Sequence, residues 1–277
     1  AAHGALALLV IATSGLRFQN EPVFDDHGVL DGAIIHDFSN LGPAWTQRTM
    51  FISTADDGTV DSVDTYRPLT VTTFFVDAAW AGSDPFGYHL TNLVLHLGCV
   101  LLLAFASRRL WGADTSWWIA AAVFAVQPWL VEGHVWINGR SDPLALLGCL
   151  ACASTWSGAR PRLSTTILGS VFLAAALFSK EVSRMLLPAL LAVPHLGAWP
   201  SRRQVLARLI GASVSAALYL GVRWSVLDGV RAGTSARLLD AAAVAPSVVL
   251  DAAWHSVVPS PPYLRSLAEE LPHLSNS

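Results

Sequence analysis

Two adjacent carboxylates, Asp25 and Asp26, stand in the apolar frame of Val23-Phe24-Asp25-Asp26-His27-Gly28-Val29-Leu30. Neighbouring carboxylates repel, so one of them is driven toward its neutral form unless a cation or metal answers it, and such a group can work as a general base. A plainer reading also holds at this point, in which the doublet caps a short helix starting near His27. Lys180 is the only lysine among 17 basic residues and stands directly before Glu181, after a long apolar run. It reads either as half of a Lys180–Glu181 ion pair or as a compact cation that meets a phosphate. Arg67, between Tyr66 and Pro68, is held extended by the proline and can aim a planar guanidinium at the same kind of group.

A second constellation lies in Val131 to Asp142, where Glu132, Trp136, Arg140 and Asp142 recur at or near helical spacing. These residues form either an ion-paired loop or part of a polar site. His89, Asn92 and His96 share one helix face, and a polar stripe buried against another helix explains them better than a metal ladder with no third strong ligand. No cofactor is called for; a divalent metal is the one group that the carboxylate doublet would admit. Cys99, Cys149 and Cys152 all sit in apolar runs and read as small packing residues.

The elements that must position these groups are set by composition. Of 277 residues 53% are hydrophobic and 13% charged, and the mean hydropathy is +0.48, which fits an all-α polytopic membrane protein of about seven or eight spans. A net charge of −3 without any basic run excludes nucleic acid as a partner. Apolar segments run over residues 5–16, 88–107, 116–130, 143–156, 164–178, 185–199 and 204–224, and the segment 238–258 reads as a span or an interfacial helix. The first is short for a span and reads as the tail of one that begins earlier, a signal peptide being the weaker alternative. Between it and the next lies a large loop, residues 19–87, with eleven acidic residues against Arg48 and Arg67; residues 260–277 form a polar tail.

Orientation follows from the arginines. Arg108 and Arg109, Arg160 and Arg162, and Arg202 and Arg203 occupy alternate short loops, which places those loops in the cytoplasm. Asp25, Arg67, Glu132, Arg140, Lys180 and Glu181 then emerge together on the opposite, outer face, although Arg140, Lys180, Arg184 and Arg231 count against the rule there.

The order of these motifs resembles the membrane half of the transmembrane O-mannosyltransferases that carry tetratricopeptide repeats, members of the GT-C glycosyltransferase superfamily, and their bacterial relatives. The likeness runs through "VFDDHGVL", "YRPLTVTTFFVDAAWAGSDPFGYHLTNLVLHLG", "QPWLVEGHVWINGRSD", "FSKEVSRMLLPALL" and "YLGVRWSVLDG", from about Phe24 to Pro259. The resemblance implies a GT-C-like catalytic domain over residues 1–259, in an integral membrane protein of a bacterial inner membrane. It would take a hexose, mannose for preference, from a polyprenyl-phosphate carrier to a protein Ser/Thr or glycan hydroxyl on the periplasmic or outer face, with inversion. It also assigns the base to Asp25 or Asp26, and the donor and acceptor site to Arg67, Glu132, Arg140, Lys180 and Glu181, with Tyr66 and Asp142 beside them. The family's usual His-Pro-x-His cluster is replaced by Gln127-Pro128-Trp129-Leu130, so no histidine role carries over. The repeats and later spans are absent from this chain, which therefore reads as a piece of a longer protein. A transporter using the same ionisable groups would show mid-membrane charges and an internal repeat, which the sequence lacks; a non-catalytic membrane scaffold is the other alternative.

The orientation is testable in intact cells with an impermeant thiol reagent added outside. Arg109→Cys, Arg162→Cys and Arg203→Cys should stay unlabelled while Thr59→Cys is labelled, and labelling of the residue 162 site would reverse the topology.

Overall fold

The computed structural model describes residues 2–14, 21–23, 26–47, 66–111, 116–127, 130, 133, 135–157, 162–186 and 201–227. All of them belong to one compact unit, Ala1–Gly229. The segment 238–258, the polar tail 260–277, most of the segment 185–199, and Asp25 and Glu132 lie outside the described residues.

Every regular element among the described residues is helical: α1 (Ala2–Ser14), α2 (Asp26–Leu30), α3 (Leu41–Thr46), α4 (Pro68–Ala81), α5 (Pro85–Trp111), α6 (Ser116–Ala125), α7 (Ser141–Trp156), α8 (Leu163–Ser179) and α9 (Arg202–Val226). Short 3-10 turns cover Phe38–Asn40, Asn138–Arg140 and Glu181–Leu186. Local chemistry sets the boundaries. α4 opens with Pro68, whose missing N–H costs nothing at a helix start, and stops at Gly82, whose φ of +59° and ψ of −128° strain any side chain. α9 opens on a reciprocal cap in which the Ser201 hydroxyl accepts from the Gln204 N–H and the Gln204 side chain accepts from the Ser201 N–H. α6 ends at Ala125, short of the expected Leu130, because Pro128 lacks a donor and disfavours helix before it. The stretch 19–87, expected as one polar loop, contains α2, α3 and the apolar α4.

At 1.5 Å per residue α5 is about 40 Å long and α9 about 37 Å. Among the described residues these two are long and apolar enough to cross a membrane; α1 and α8 are apolar but shorter. Their outward faces are apolar too: Val94 and Phe105 on α5, Ile167 and Val171 on α8, and Leu206, Ile210, Val214 and Leu218 on α9 are exposed.

Inside, small residues let the helices approach closely. A Cβ on Gly148 of α7 would lie 2.9 Å from the Phe172 carbonyl oxygen and 3.1 Å from the Ala176 nitrogen of α8. One on Gly169 of α8 would meet the Trp156 indole at 2.1 Å, and one on Gly211 of α9 the Ser170 hydroxyl at 2.1 Å. Cys149 and Cys152 are buried free thiols in the core of α7, α8 and α9, in keeping with a packing role.

The contacts also fix direction. Asp142 at the start of α7 meets Lys180 at the end of α8, whereas Trp156 at the end of α7 bonds Thr166 near the start of α8, so these helices are antiparallel. α9 runs with α8, because Ser215 bonds the Ser170 carbonyl and Tyr219 packs on Phe178. α5 runs with α7, with Asn92 beside Ile137 and Gly98 beside Leu147. α4 starts where α8 ends, the Thr70 hydroxyl donating to the Ser179 carbonyl at 2.9 Å. Arg108, Arg109, Arg162, Arg202 and Arg203 therefore collect at one end of the bundle, all exposed, and Arg67, Arg140 and Lys180 at the other.

Gly148→Leu should lower the stability of the solubilised protein by about 1–3 kcal/mol or more, because the clash is with backbone. At Gly221 an added Cβ meets nothing within 4 Å, so Gly221→Leu should leave the melting temperature near the parent's. Equal effects from the two would contradict the close α7–α8 packing.

Candidate active site

The polar end of the bundle is built from the starts of α4 and α7, the end of α8 and the short helix α2. Lys180 has extended backbone, φ −154° and ψ 130°, so it and Glu181 point to opposite sides. They do not pair with each other, contrary to one sequence expectation. The Lys180 ammonium grips both oxygens of Asp142, at 2.6 and 2.7 Å. Arg67 closes a two-point fork on Glu181, Nε to Oε2 at 2.9 Å and Nη2 to Oε1 at 2.6 Å.

Burial alone would raise the Glu181 carboxyl, but the Arg67 hydrogen bonds, a backbone bond and the charges of Arg67 and Arg223 outweigh it and hold the group at about 2. The same fork raises the Arg67 guanidinium, against the effect of burial. Tyr66 is buried, donates its hydroxyl to the Trp45 carbonyl at 2.7 Å, and packs among Phe178 and Tyr219. Burial first, and Tyr219 second, push its phenol up to about 12. Its place in this aromatic cluster makes it a support behind Arg67 rather than a wall open to substrate.

Arg140 departs from expectation in the same way. It has no exposed surface, lies against the Phe74 ring with its guanidinium carbon 4.3 Å from the centroid, and pairs with the equally buried Asp77 of α4. Thr73 and the Tyr88 carbonyl take further N–H groups, at 3.3 and 3.0 Å. Burial pulls the guanidinium below its usual value, and the charge of Asp77 works against that pull. Arg140 is thus locked inside the protein by α4 and α5 instead of lining an open cleft. The local pairing among residues 132–142 is likewise replaced by long-range partners for both Arg140 and Asp142.

Asp26, nearly fully buried at the start of α2, uses both oxygens on backbone. Oδ2 accepts from the Val23 N–H at 3.2 Å and Oδ1 from the Asn138 N–H at 3.0 Å, the second tying the doublet to the turn before α7. Helix α2 starts at Asp26, next to the expected start at His27, and this carboxylate braces two segments; Asp25, the residue before the helix, lies outside the described residues.

A cavity of about 570 Å³ opens beside the Lys180–Asp142 pair, walled by Phe124, Leu130, Leu146, Val182, Met185 and Leu186. His96 and Cys99 reach it from α5. His89, Asn92 and His96 are buried, and the Asn92 amide donates to the Trp136 carbonyl at 2.8 Å, as a polar stripe between helices should. Among the described residues no three His, Cys, Asp or Glu side chains gather to hold a metal ion. Sequence reasoning passed over Asp77, a lone carboxylate in the apolar run of α4, and Arg223, whose charge reaches Glu181 from α9. The signal for both was a charge set in an otherwise apolar helix.

Known proteins match over part of this chain. It is 31% identical to human protein O-mannosyl-transferase TMTC4 over 159 residues, 52% of this chain and 21% of that protein. With mouse protein O-mannosyl-transferase TMTC3 the identity is 33% over 164 residues, 55% and 17% of the two chains. With Drosophila melanogaster protein O-mannosyl-transferase Tmtc1 it is 31% over 123 residues, 43% and 14%. The chain is a relative of the TMTC protein O-mannosyltransferases. It spans about a fifth, or less, of the length of these relatives. No protein-family model matches the chain, and no solved structure matches it significantly.

A depressed carboxyl stabilises the fold above its unfolded value, and that contribution fades as pH falls toward the folded one. The melting-temperature gap between this TMTC relative and its Glu181→Gln variant should therefore be constant above about pH 4.5 and shrink toward pH 2. A gap independent of pH would contradict the Arg67–Glu181 fork.

Proposed function

We propose that this chain forms the membrane half of a GT-C-type glycosyltransferase, an integral membrane protein of about seven or eight spans. It moves mannose from a polyprenyl-phosphate carrier to a hydroxyl of a protein Ser/Thr or a glycan, on the periplasmic face of a bacterial inner membrane. The observation that carries this reading is the gathering of Asp26, Arg67, Lys180, Asp142 and Glu181 at one end of the bundle, away from the exposed arginines. The relation to the TMTC proteins and the apolar outer faces of α5, α8 and α9 support it.

In the proposed reaction the acceptor oxygen attacks the anomeric carbon from the side opposite the phosphate. The carbon–oxygen bond to the carrier breaks, its electron pair stays on the phosphate, and the configuration inverts. A carboxylate takes the acceptor's proton in the same step. Because both oxygens of Asp26 are engaged by backbone N–H groups, that role falls to Asp25, with Asp26 as its brace. The departing phosphate needs cations in a site shielded from water. Lys180 is the better placed, since Asp142 is half-exposed and can yield the ammonium to a dianion, while the apolar cavity beside it accepts the first isoprene units of the carrier. Arg67, already forked onto Glu181, adds positive potential with a fixed direction.

The test uses the complete protein in membranes with a labelled polyprenyl-phosphate mannose. Asp25→Asn keeps size and loses basicity, so transfer should fall by roughly 10²–10⁴-fold with donor binding little changed. Asp26→Asn retains an oxygen for the Asn138 N–H and should lose less. Near-parent transfer by folded Asp25→Asn would remove the base from this mechanism.

A further inference from the structure

We propose that Asp77 and Arg140 are positioning residues that set the proposed base through the backbone of residues 136–140. This rests on the reading of Asp25 as the base.

The path is continuous and short. Asp77 projects from α4 and is held by two partners, its Oδ1 by the Thr91 hydroxyl at 2.6 Å and its Oδ2 by Arg140. Arg140 closes the Asn138–Arg140 turn and is pinned from three further directions, by Thr73, the Tyr88 carbonyl and the Phe74 ring. The backbone just ahead of the turn is held independently, because the Asn92 amide donates to the carbonyls of Trp136 and Ile137 at 2.8 and 3.3 Å. With the turn immobilised, the Asn138 N–H points at Asp26 Oδ1 from a fixed place. Asp25 precedes Asp26 by one peptide unit, a Cα separation of about 3.8 Å, so whatever fixes Asp26 limits the reach of its neighbour. The charge of Asp26 also acts on Arg140, which couples the two ends of the path electrostatically.

A buried ion pair is seldom the most stabilising choice for its space, and apolar residues of similar size often hold a fold as well. Here the pair fixes one direction of approach for a backbone donor, which an apolar contact does not do.

The experiment compares the complete parent protein with Asp77→Asn and with the double variant Asp77→Leu/Arg140→Met, which leaves no unpaired buried charge and guards against misfolding of the single one. Hydrogen exchange in lipid nanodiscs reads the coupling without any substrate. Exchange should quicken over residues 26–31 and 136–141 in both variants while residues 163–179 keep the parent's protection. In the transfer assay kcat should fall about 10²-fold, the scale of a 1 Å misplacement, with the donor KM unchanged. Unchanged exchange over residues 26–31, a double variant with parental kcat, or a loss confined to the donor KM would each overturn the proposal. If the parent transfers no mannose the proposed function falls, and the exchange measurement alone then decides the coupling.

Discussion

A guanidinium with no exposed surface has to be answered by a fixed anion, because an unpaired charge in such a place costs several kcal/mol. Arg140 meets that demand with Asp77, and the geometry of the polar end follows from it. The pair joins α4 to the start of α7. α4 in turn reaches the end of α8 through Thr70 and the Ser179 carbonyl, and the turn before α7 reaches α2 through Asn138 and Asp26. Four segments distant in sequence thus share one frame, and the more exposed groups, Lys180, Asp142, Arg67 and Glu181, are arranged on it.

Two kinds of ion pair divide the work. Arg140–Asp77 is buried on both sides, which suits a fixed strut. Arg67–Glu181 and Lys180–Asp142 remain partly open, and Asp142 is the most exposed of these four partners. A phosphate arriving at such a site competes with a half-solvated carboxylate, a far smaller barrier than dismantling a buried pair. On the proposed reading the contrast suits Lys180, and not Arg140, to ligand exchange, although both looked like site cations in the sequence.

Much of this was legible beforehand. Apolar runs located α5, α7, α8 and α9 to within a few residues, because helices that pack on one another and carry apolar outer faces are read directly from composition. The alternation of arginine loops separated the two ends of the bundle. What escaped was the pairing. Arg67 and Glu181 are 114 residues apart and Arg140 and Asp77 are 63 apart, distances over which no periodicity operates. Lys180 and Glu181 were adjacent and seemed natural partners, yet an extended backbone sends neighbouring side chains to opposite sides. Asp77 was hidden by its company, the phenylalanines and alanines of α4. A single carboxylate in such a helix is the clearest sequence mark of a buried cation elsewhere.

The polar end of the bundle is the place where, on the proposed function, a lipid-linked sugar meets its acceptor. The most direct measurement is a structure of the complete protein in a lipid nanodisc with polyprenyl-phosphate mannose bound. The donor phosphate should lie within about 3 Å of the Lys180 ammonium, with the anomeric carbon turned toward Asp25 and the carrier entering the cavity beside Met185 and Leu186. A donor bound instead at the end that gathers Arg108, Arg162 and Arg202, with Lys180 still closed on Asp142, would contradict it.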